Sequence, residues 1–380
     1  MASIKLKGDT SGEVTISAPA VAGTTTLELP ATSSTLATQN SLGVRNLIIN
    51  GDMRIDQRNA GASVTPSNSY ALDRWTFATS VASKFTAQQS TTATDTFKNS
   101  LLITSSSSYS VGSSDILSLQ QKIEGYNIAH LNWGTASAST VTLSFWVRSS
   151  LTGTFGGSIS NSGYTRSYPF SYTISSADTW EKKTITIAGD TTGSWSTNNS
   201  TGMRVIFGIG VGSTYSGTAG AWTGSALHSA TGATSIVGTS GATFYITGVQ
   251  LEVSSVSTDF EFRPYDMELQ RCQRYYWKYV EGLSKYINIG CLFTASAVQT
   301  VVTFPTTMRT TPTFDHSTGT NYYGYYGTAG WDDFNSFTPE YLNLSSAGLY
   351  NATQVSGTAG HGVAVATRNA SAYIAFDAEL

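Results

Sequence analysis

Val141-Thr-Leu-Ser-Phe-Trp-Val-Arg148 alternates without a break, with Val141, Leu143, Phe145 and Val147 pointing one way and Thr142, Ser144, Trp146 and Arg148 the other. A period of two predicts a strand with one face in a core and the other at a surface. The pattern recurs upstream in Asn46-Leu-Ile-Ile-Asn50, Asp73-Arg-Trp-Thr-Phe77, Lys84-Phe-Thr-Ala-Gln88, Ser100-Leu-Leu-Ile-Thr104 and Leu117-Ser-Leu-Gln-Gln-Lys-Ile-Glu124. Downstream it returns in Tyr168-Pro-Phe-Ser-Tyr-Thr-Ile174, Thr179-Trp-Glu-Lys-Lys-Thr-Ile-Thr-Ile187, Arg204-Val-Ile-Phe-Gly-Ile-Gly-Val211 and Phe244-Tyr-Ile-Thr-Gly-Val-Gln-Leu-Glu252. Many strands with polar loops and no helix between them predict an antiparallel sandwich.

Composition points the same way. Of 380 residues only 12% are charged, while 12% are aromatic and 40% hydrophobic, so hydroxyls and amides carry the solubility. A net charge of −3 offers nothing to capture nucleic acid or an acidic membrane surface. No apolar run reaches membrane-spanning length, so no membrane insertion is expected. The start, Met1-Ala-Ser-Ile-Lys-Leu-Lys-Gly8, reads as no signal peptide. Cys272 and Cys291 form no metal-binding spacing and read as free thiols made in a reducing compartment.

One segment breaks the pattern. Phe260-Glu-Phe-Arg-Pro-Tyr-Asp-Met-Glu-Leu-Gln-Arg-Cys-Gln-Arg-Tyr-Tyr-Trp-Lys-Tyr-Val-Glu281 holds no Gly, Ser or Thr. It predicts a helix across 260–282, preceded by Pro264, capped by Asp266 and ended by Gly282. Leu269, Cys272, Tyr276 and Val280 then fall on one face. That stripe packs either on its own domain or on two sister helices along a three-fold axis. The second reading makes the chain a homotrimer.

Residues 1–44 read as short alternating strands, Ile4–Lys7, Glu13–Ser17, Thr25–Leu29 and Ser34–Thr38, with too few apolar positions to close a core. They read either as strands that need a partner or as a disordered tail.

The pieces Asn46-Leu-Ile-Ile-Asn-Gly-Asp52, Leu119-Gln-Gln-Lys-Ile-Glu124, Thr142-Leu-Ser-Phe-Trp-Val-Arg148, Thr179-Trp-Glu-Lys-Lys183 and Tyr245-Ile-Thr-Gly-Val-Gln-Leu-Glu252 occur in that order. Together they resemble the jelly-roll carbohydrate-binding modules attached to glycan-degrading enzymes. A narrower resemblance, to bacteriophage tail fibre or receptor-binding proteins, rests on Asn50-Gly-Asp-Met-Arg-Ile-Asp-Gln-Arg58, Ala71-Leu-Asp-Arg-Trp75 and Phe262-Arg-Pro-Tyr-Asp-Met-Glu-Leu-Gln-Arg-Cys-Gln-Arg-Tyr-Tyr276. Gly12-Glu-Val-Thr-Ile-Ser-Ala-Pro-Ala-Val-Ala-Gly-Thr-Thr-Thr-Leu-Glu-Leu-Pro-Ala-Thr32 looks like a virion-attachment segment. These resemblances imply a trimer on the virion, assembled in the host cytoplasm and docked to a tail or baseplate protein through its N-terminus. The module resemblance also implies a structural calcium, for which Asp52 and Glu252 stand in place. Arg54 and Thr247-Gly248 depart from that acidic cluster, and Arg54 is placed to pair with Asp52 or Asp56 instead.

Beyond the helix the β pattern resumes in Tyr286-Ile-Asn-Ile-Gly-Cys-Leu-Phe293, Val298-Gln-Thr-Val-Val-Thr-Phe304, Gly362-Val-Ala-Val-Ala-Thr367 and Ala372-Tyr-Ile-Ala-Phe-Asp-Ala378. A sugar offers a polar rim and an apolar face, so aromatic platforms beside Asn, Asp or Arg suit it. Tyr322, Tyr323, Tyr325, Tyr326 and Trp331 form the preferred platform, against the reading that Tyr alternates in and out of a core. Trp146 and Trp222 are further candidates, Trp146 also reading as an interface residue. Trp222 lies in a segment, 212–241, that is either mobile or ordered by a neighbour. For catalysis, Asp332, Asp333 and Glu340 are the available carboxylates, but adjacent aspartates on a strand face opposite sides. The histidines show no ligand spacing, and no nucleophile elbow or phosphate loop appears.

The expectation is therefore an all-β chain. Attachment strands (1–44) precede a jelly-roll sandwich (45–259), a linker or trimerising helix (260–282) and a β-sandwich tip (283–380). The expected function is non-catalytic attachment to host surface polysaccharide, with a depolymerising tailspike enzyme or a purely structural fibre as the alternatives.

Overall fold

The computed structural model describes residues 3–7, 13–17 and 45–380. The chain separates into two compact units, Met1–Gly43 and Val44–Leu380. In the first, Ser3–Lys7 pairs antiparallel with Glu13–Ser17, with Ile4 opposite Ile16 and Leu6 opposite Val14. The expected strands at 25–29 and 34–38 lie outside the described residues.

The second unit begins with a two-sheet sandwich. One sheet runs in the order Ser167–Ile174, Gly153–Asn161, Thr201–Val211, Ile116–Glu124, Trp75–Thr79 and Tyr70–Leu72. The facing sheet runs Glu181–Ile187, Val141–Ser149, Thr243–Glu252, Ser100–Ser105 and Phe85–Ser90. The chain crosses between the sheets repeatedly, with three hairpins kept within one sheet, a path consistent with a jelly roll, and every pairing within both sheets is antiparallel. The alternation of Val141–Ser149 decides its placement. Val141, Leu143, Phe145 and Val147 enter the core beside Phe155, Phe207 and Phe244, while Trp146 stays half-buried on the outer face. Phe145 meets Tyr172 and Phe207 edge-on, both at 5.0 Å, an arrangement that aromatic quadrupoles favour. The segment 212–241 is ordered by its own sandwich: Ile236 and Val237 are buried in the core, and Tyr109 N–H donates to the Val237 carbonyl at 2.8 Å.

The helix expected over 260–282 is corrected. It spans only Tyr265–Gln273, and the strand Tyr276–Glu281 follows, antiparallel to Tyr373–Asp377. Tyr275-Tyr-Trp-Lys-Tyr-Val280 is rich in aromatic and β-branched residues, which suit a pleated surface, and Tyr373–Asp377 supplies backbone partners. Pro264 holds the N-cap position and Asp266 lies within the first turn, so Asp266 is not the cap. The proposed trimer stripe is covered by its own chain. Cys272 packs with Ile49, Ile55 and Tyr275, and Leu269 lies against that cluster. Tyr276 is buried beneath the Arg58 guanidinium, 3.6 Å from the ring centre, and Val280 enters the C-terminal core. An interface between copies cannot use residues that are spent on the fold.

The C-terminal part holds a seven-stranded sheet in the order Gly330–Phe334, Tyr323–Gly327, Gly362–Thr367, Tyr286–Thr294, Ala297–Thr303, Ser346–Asn351 and Thr338–Glu340. A three-stranded sheet of Tyr276–Glu281, Tyr373–Asp377 and Thr313–His316 completes it. Their shared core includes Ile287, Leu292, Val302, Tyr323, Tyr325, Val365 and Phe376.

Buried and half-buried ion pairs join the two β regions. Arg74 pairs with Glu379, Arg58 with Asp377 at 3.1 Å and Glu379 at 3.3 Å, and Arg274 grips Glu124 at 2.6 and 3.0 Å. Arg309 donates to the carbonyls of Ala378 and Glu379, both at 2.7 Å, and to Asn199 at 2.9 Å.

Candidate functional site

The strands Tyr323–Gly327 and Gly330–Phe334 form a hairpin at one edge of the seven-stranded sheet, closed through Gly330 at φ 100°. Alternation sorts the aromatic residues. Tyr323 and Tyr325 turn inward and are buried, which corrects their expected role as sugar platforms. The Tyr323 hydroxyl lies 2.9 Å from the Ser317 carbonyl and 2.7 Å from the Tyr373 carbonyl, which share its one proton, and the Tyr325 hydroxyl donates to the Ser356 carbonyl at 2.5 Å. Tyr322 is half-buried against the core.

Tyr326 and Trp331 face each other on the outward side, 53% and 39% exposed, with ring centres 5.4 Å apart. The Arg368 guanidinium lies 4.1 Å from the Trp331 ring centre, and its Nε donates to Asp333 at 2.8 Å. Gly324 makes the room for this group, because a Cβ there would meet Asp333 Oδ1 and lie 2.9 Å from Arg368 Cγ. The result is two open rings held at an angle beside a fixed cation and carboxylate. Sequence reasoning missed Arg368 and Gly324. The signal was available in the Gly324 interruption of a tyrosine run, but only register reveals what the gap accommodates.

The carboxylates divide as strand geometry requires. Asp332 accepts from the Ser356 N–H at 2.6 Å on one side, and Asp333 holds Arg368 on the other. Glu340 sits on the strand at the opposite edge of the sheet.

Trp222 belongs to an aromatic box with Trp133 at 5.3 Å, Trp195 at 5.7 Å and Tyr168 at 5.3 Å. Its indole N–H donates to the Ala188 carbonyl at 2.8 Å. The Arg166–Asp190 pair braces the box, with contacts of 2.8 and 2.7 Å, and Trp195 N–H donates to Asp190 at 3.2 Å. All four ring contacts within the box, Trp133–Trp195 included, are edge-on, an arrangement that aromatic quadrupoles favour. Trp146 lies between Lys182 and Thr247 on the outer face of the five-stranded sheet.

A polar cluster that sequence reasoning missed covers the outward side of the six-stranded sheet. Tyr164 stacks on His228 at 5.0 Å and lies 4.7 Å beneath Arg204, while Ser118, Gln120 and Ser160 are buried below. Burial first, and then the nearby Arg204 charge, bring His228 down to about 4, so it is neutral near pH 7.

The donors expected for calcium do not fit an ion. Asp52 Oδ2 is held by Arg54 Nε at 3.0 Å, so a guanidinium already neutralises it. Glu252 accepts from Thr258 N–H at 2.9 Å, Thr258 hydroxyl at 2.7 Å and Gln250 at 2.9 Å. Calcium needs six to eight oxygens, and among the described residues no group of three or more His, Cys, Asp or Glu gathers to supply them.

No protein-family model matches the sequence, and no curated protein matches it. Solved structures align with part of the chain at low identity. A tailspike protein 4 enzymatically active domain from bacteriophage CBA120 matches at 13% identity and TM-score 0.31, covering 55% of this chain and 21% of that one. TmCBM61, solved with β-1,4-galactotriose, matches at 11% identity and TM-score 0.29, covering 56% of this chain and 100% of that one. A family 11 carbohydrate-binding module from Clostridium thermocellum, solved with a β-1,3-1,4-mixed-linked tetrasaccharide, matches at 8% identity and TM-score 0.27, covering 53% and 100%. The fold described above stands on this chain's own sheets.

Proposed function

We propose that this chain is a non-catalytic adhesin, the receptor-binding fibre of a bacteriophage, which attaches the virion to a surface glycan of its host. The observation that carries the reading is the open Tyr326–Trp331 pair beside the Arg368–Asp333 ion pair. Pyranose C–H faces stack on such rings, and a fixed guanidinium and carboxylate offer donors and acceptors to ring hydroxyls. The motifs around Asp52, Trp75 and Arg263 support the phage assignment, and the strands before residue 44 would dock a tail or baseplate protein. Weak single sites suffice when several copies engage one surface, because linkage raises the effective concentration.

A glycan array probed with the full-length protein tests this reading, repeated with Trp331→Ala. Retention of a defined glycan by the parent and its loss in the variant is the expected result. Equal retention by both, or release of reducing ends from the bound polysaccharide, would overturn the site or the non-catalytic reading respectively.

A further inference from the structure

We propose that the outward face of the strands Tyr286–Thr294 and Ala297–Thr303 is an interface between copies of this chain. Both strands lie in the interior of the seven-stranded sheet, each paired with a neighbour on either side. Ile287, Leu292, Val298 and Val302 fill the core from the inward side. On the other side Tyr286 and Ile289 are each 71% exposed, Phe293 66% and Val301 53%. A lone exposed aliphatic residue needs no explanation, but a contiguous set on a regular sheet does.

Three features select a second copy as the occupant. Neither strand contains a charged residue, and the carboxylate that reaches the face, Glu340, accepts from Gln299 at 3.3 Å, so no cluster of like charge repels a second copy. These four side chains leave on the order of 500 Å² open. With the neighbouring Asn288, Cys291 and Ala364, the face approaches the roughly 800 Å² per partner of a standard interface. The face also carries both a hole and a knob: a shallow cleft of about 420 Å³ lined by Tyr286, Asn288, Ile289 and Ala364, and the projecting ring of Phe293. Tyr326 and Trp331 lie on the sheet's edge hairpin, beyond Gly362–Thr367, so a copy seated on the central strands would border the sugar platform. The inference does not rest on the glycan reading.

Cys291 reports on the face directly. It is an exposed thiol between Ile289 and Phe293, whereas Cys272 is buried and slow to compete. Sedimentation of the full chain, combined with maleimide labelling, tests the proposal. The expected result is a multiple of the chain mass, with Cys291 labelled at least about tenfold more slowly than the cysteine of a short peptide. The Ile289→Lys/Phe293→Lys variant should sediment as a smaller species and label at the peptide's rate. Peptide-like labelling of Cys291 in the parent would overturn the proposal, whatever the variant does. So would a parent that sediments as a single chain, or a folded variant that keeps the parent's mass and protection.

Discussion

Trp331 and Asp52 show opposite uses of one residue. Trp331 contributes little to the core, so Trp331→Ala should leave the unfolding midpoint almost unchanged. Loss of one stacking ring, worth about 1 kcal/mol per site, should lower the apparent affinity of a multivalent assembly tenfold or more. Surface plasmon resonance on an immobilised glycan identified by the array checks both the loss and its dependence on density. Asp52 bears on stability instead, and when ionised it works against the fold. Burial raises it from 3.8 to about 6, outweighing the facing Arg54, which lowers it. Because the folded value lies above the unfolded one, the folded state holds the proton through that window. The contribution of Asp52 therefore falls as pH rises from 3.8 to about 6. Asp52→Asn should accordingly be the more stable protein at about pH 7.5 and lose that advantage near pH 4. Denaturant melts of both proteins at the two pH values decide it. Parallel curves at both would show that Asp52 titrates in the ordinary carboxylate range.

At the scale of the element, the short helix is held by charge as well as by its apolar face. Glu268 accepts from the Asn50 N–H and from Arg263 Nη1 at 3.0 Å. Arg263 in turn donates to the carbonyls of Ile48, at 3.1 Å, and Asn46. Both partners of the pair are almost wholly buried. Removing Glu268 leaves the buried Asn50 N–H without its acceptor and Arg263 with Glu261, at 3.1 Å, as its remaining carboxylate, so Glu268→Ala should cost about 1–3 kcal/mol in urea unfolding, and Glu268→Gln less. A cost below about 1 kcal/mol would mean that water reaches Arg263. The pattern Phe260–Glu281 announced a helix, but its last third became a strand. Tyr, Trp and Val favour a strand, and pairing with Tyr373–Asp377 supplied the backbone partners that a strand needs.

For the whole molecule, the ion pairs between the jelly-roll region and the C-terminal sheets make independent unfolding of either part unfavourable. Glu379 is gripped by Arg74 and Arg58, and Glu124 by Arg274 and by the Tyr275 hydroxyl at 2.6 Å. Scanning calorimetry of Val44–Leu380 should therefore show one cooperative transition. Arg74→Ala should split or lower it, because Glu379 loses a partner in a buried setting. Two resolved transitions in the parent would show that the seam is too weak to couple the halves.

The sequence by itself determined the β architecture, since period-two alternation admits only one buried face per strand, as Val141–Ser149 shows. It also singled out the segment whose hairpin leaves Tyr326 and Trp331 exposed. It could not separate Tyr326 from Tyr325, because strand phase depends on which residues pair across the sheet. Nor could it recognise Arg368, which reaches Trp331 only once Gly362–Thr367 lies beside Tyr323–Gly327. Tertiary structure alone decided which apolar residues were spent on the core and which stayed open. Cys272 and Tyr276 closed on their own chain while Ile289 and Phe293 faced out, because burial is settled by the neighbour that arrives and not by the side chain's own hydrophobicity.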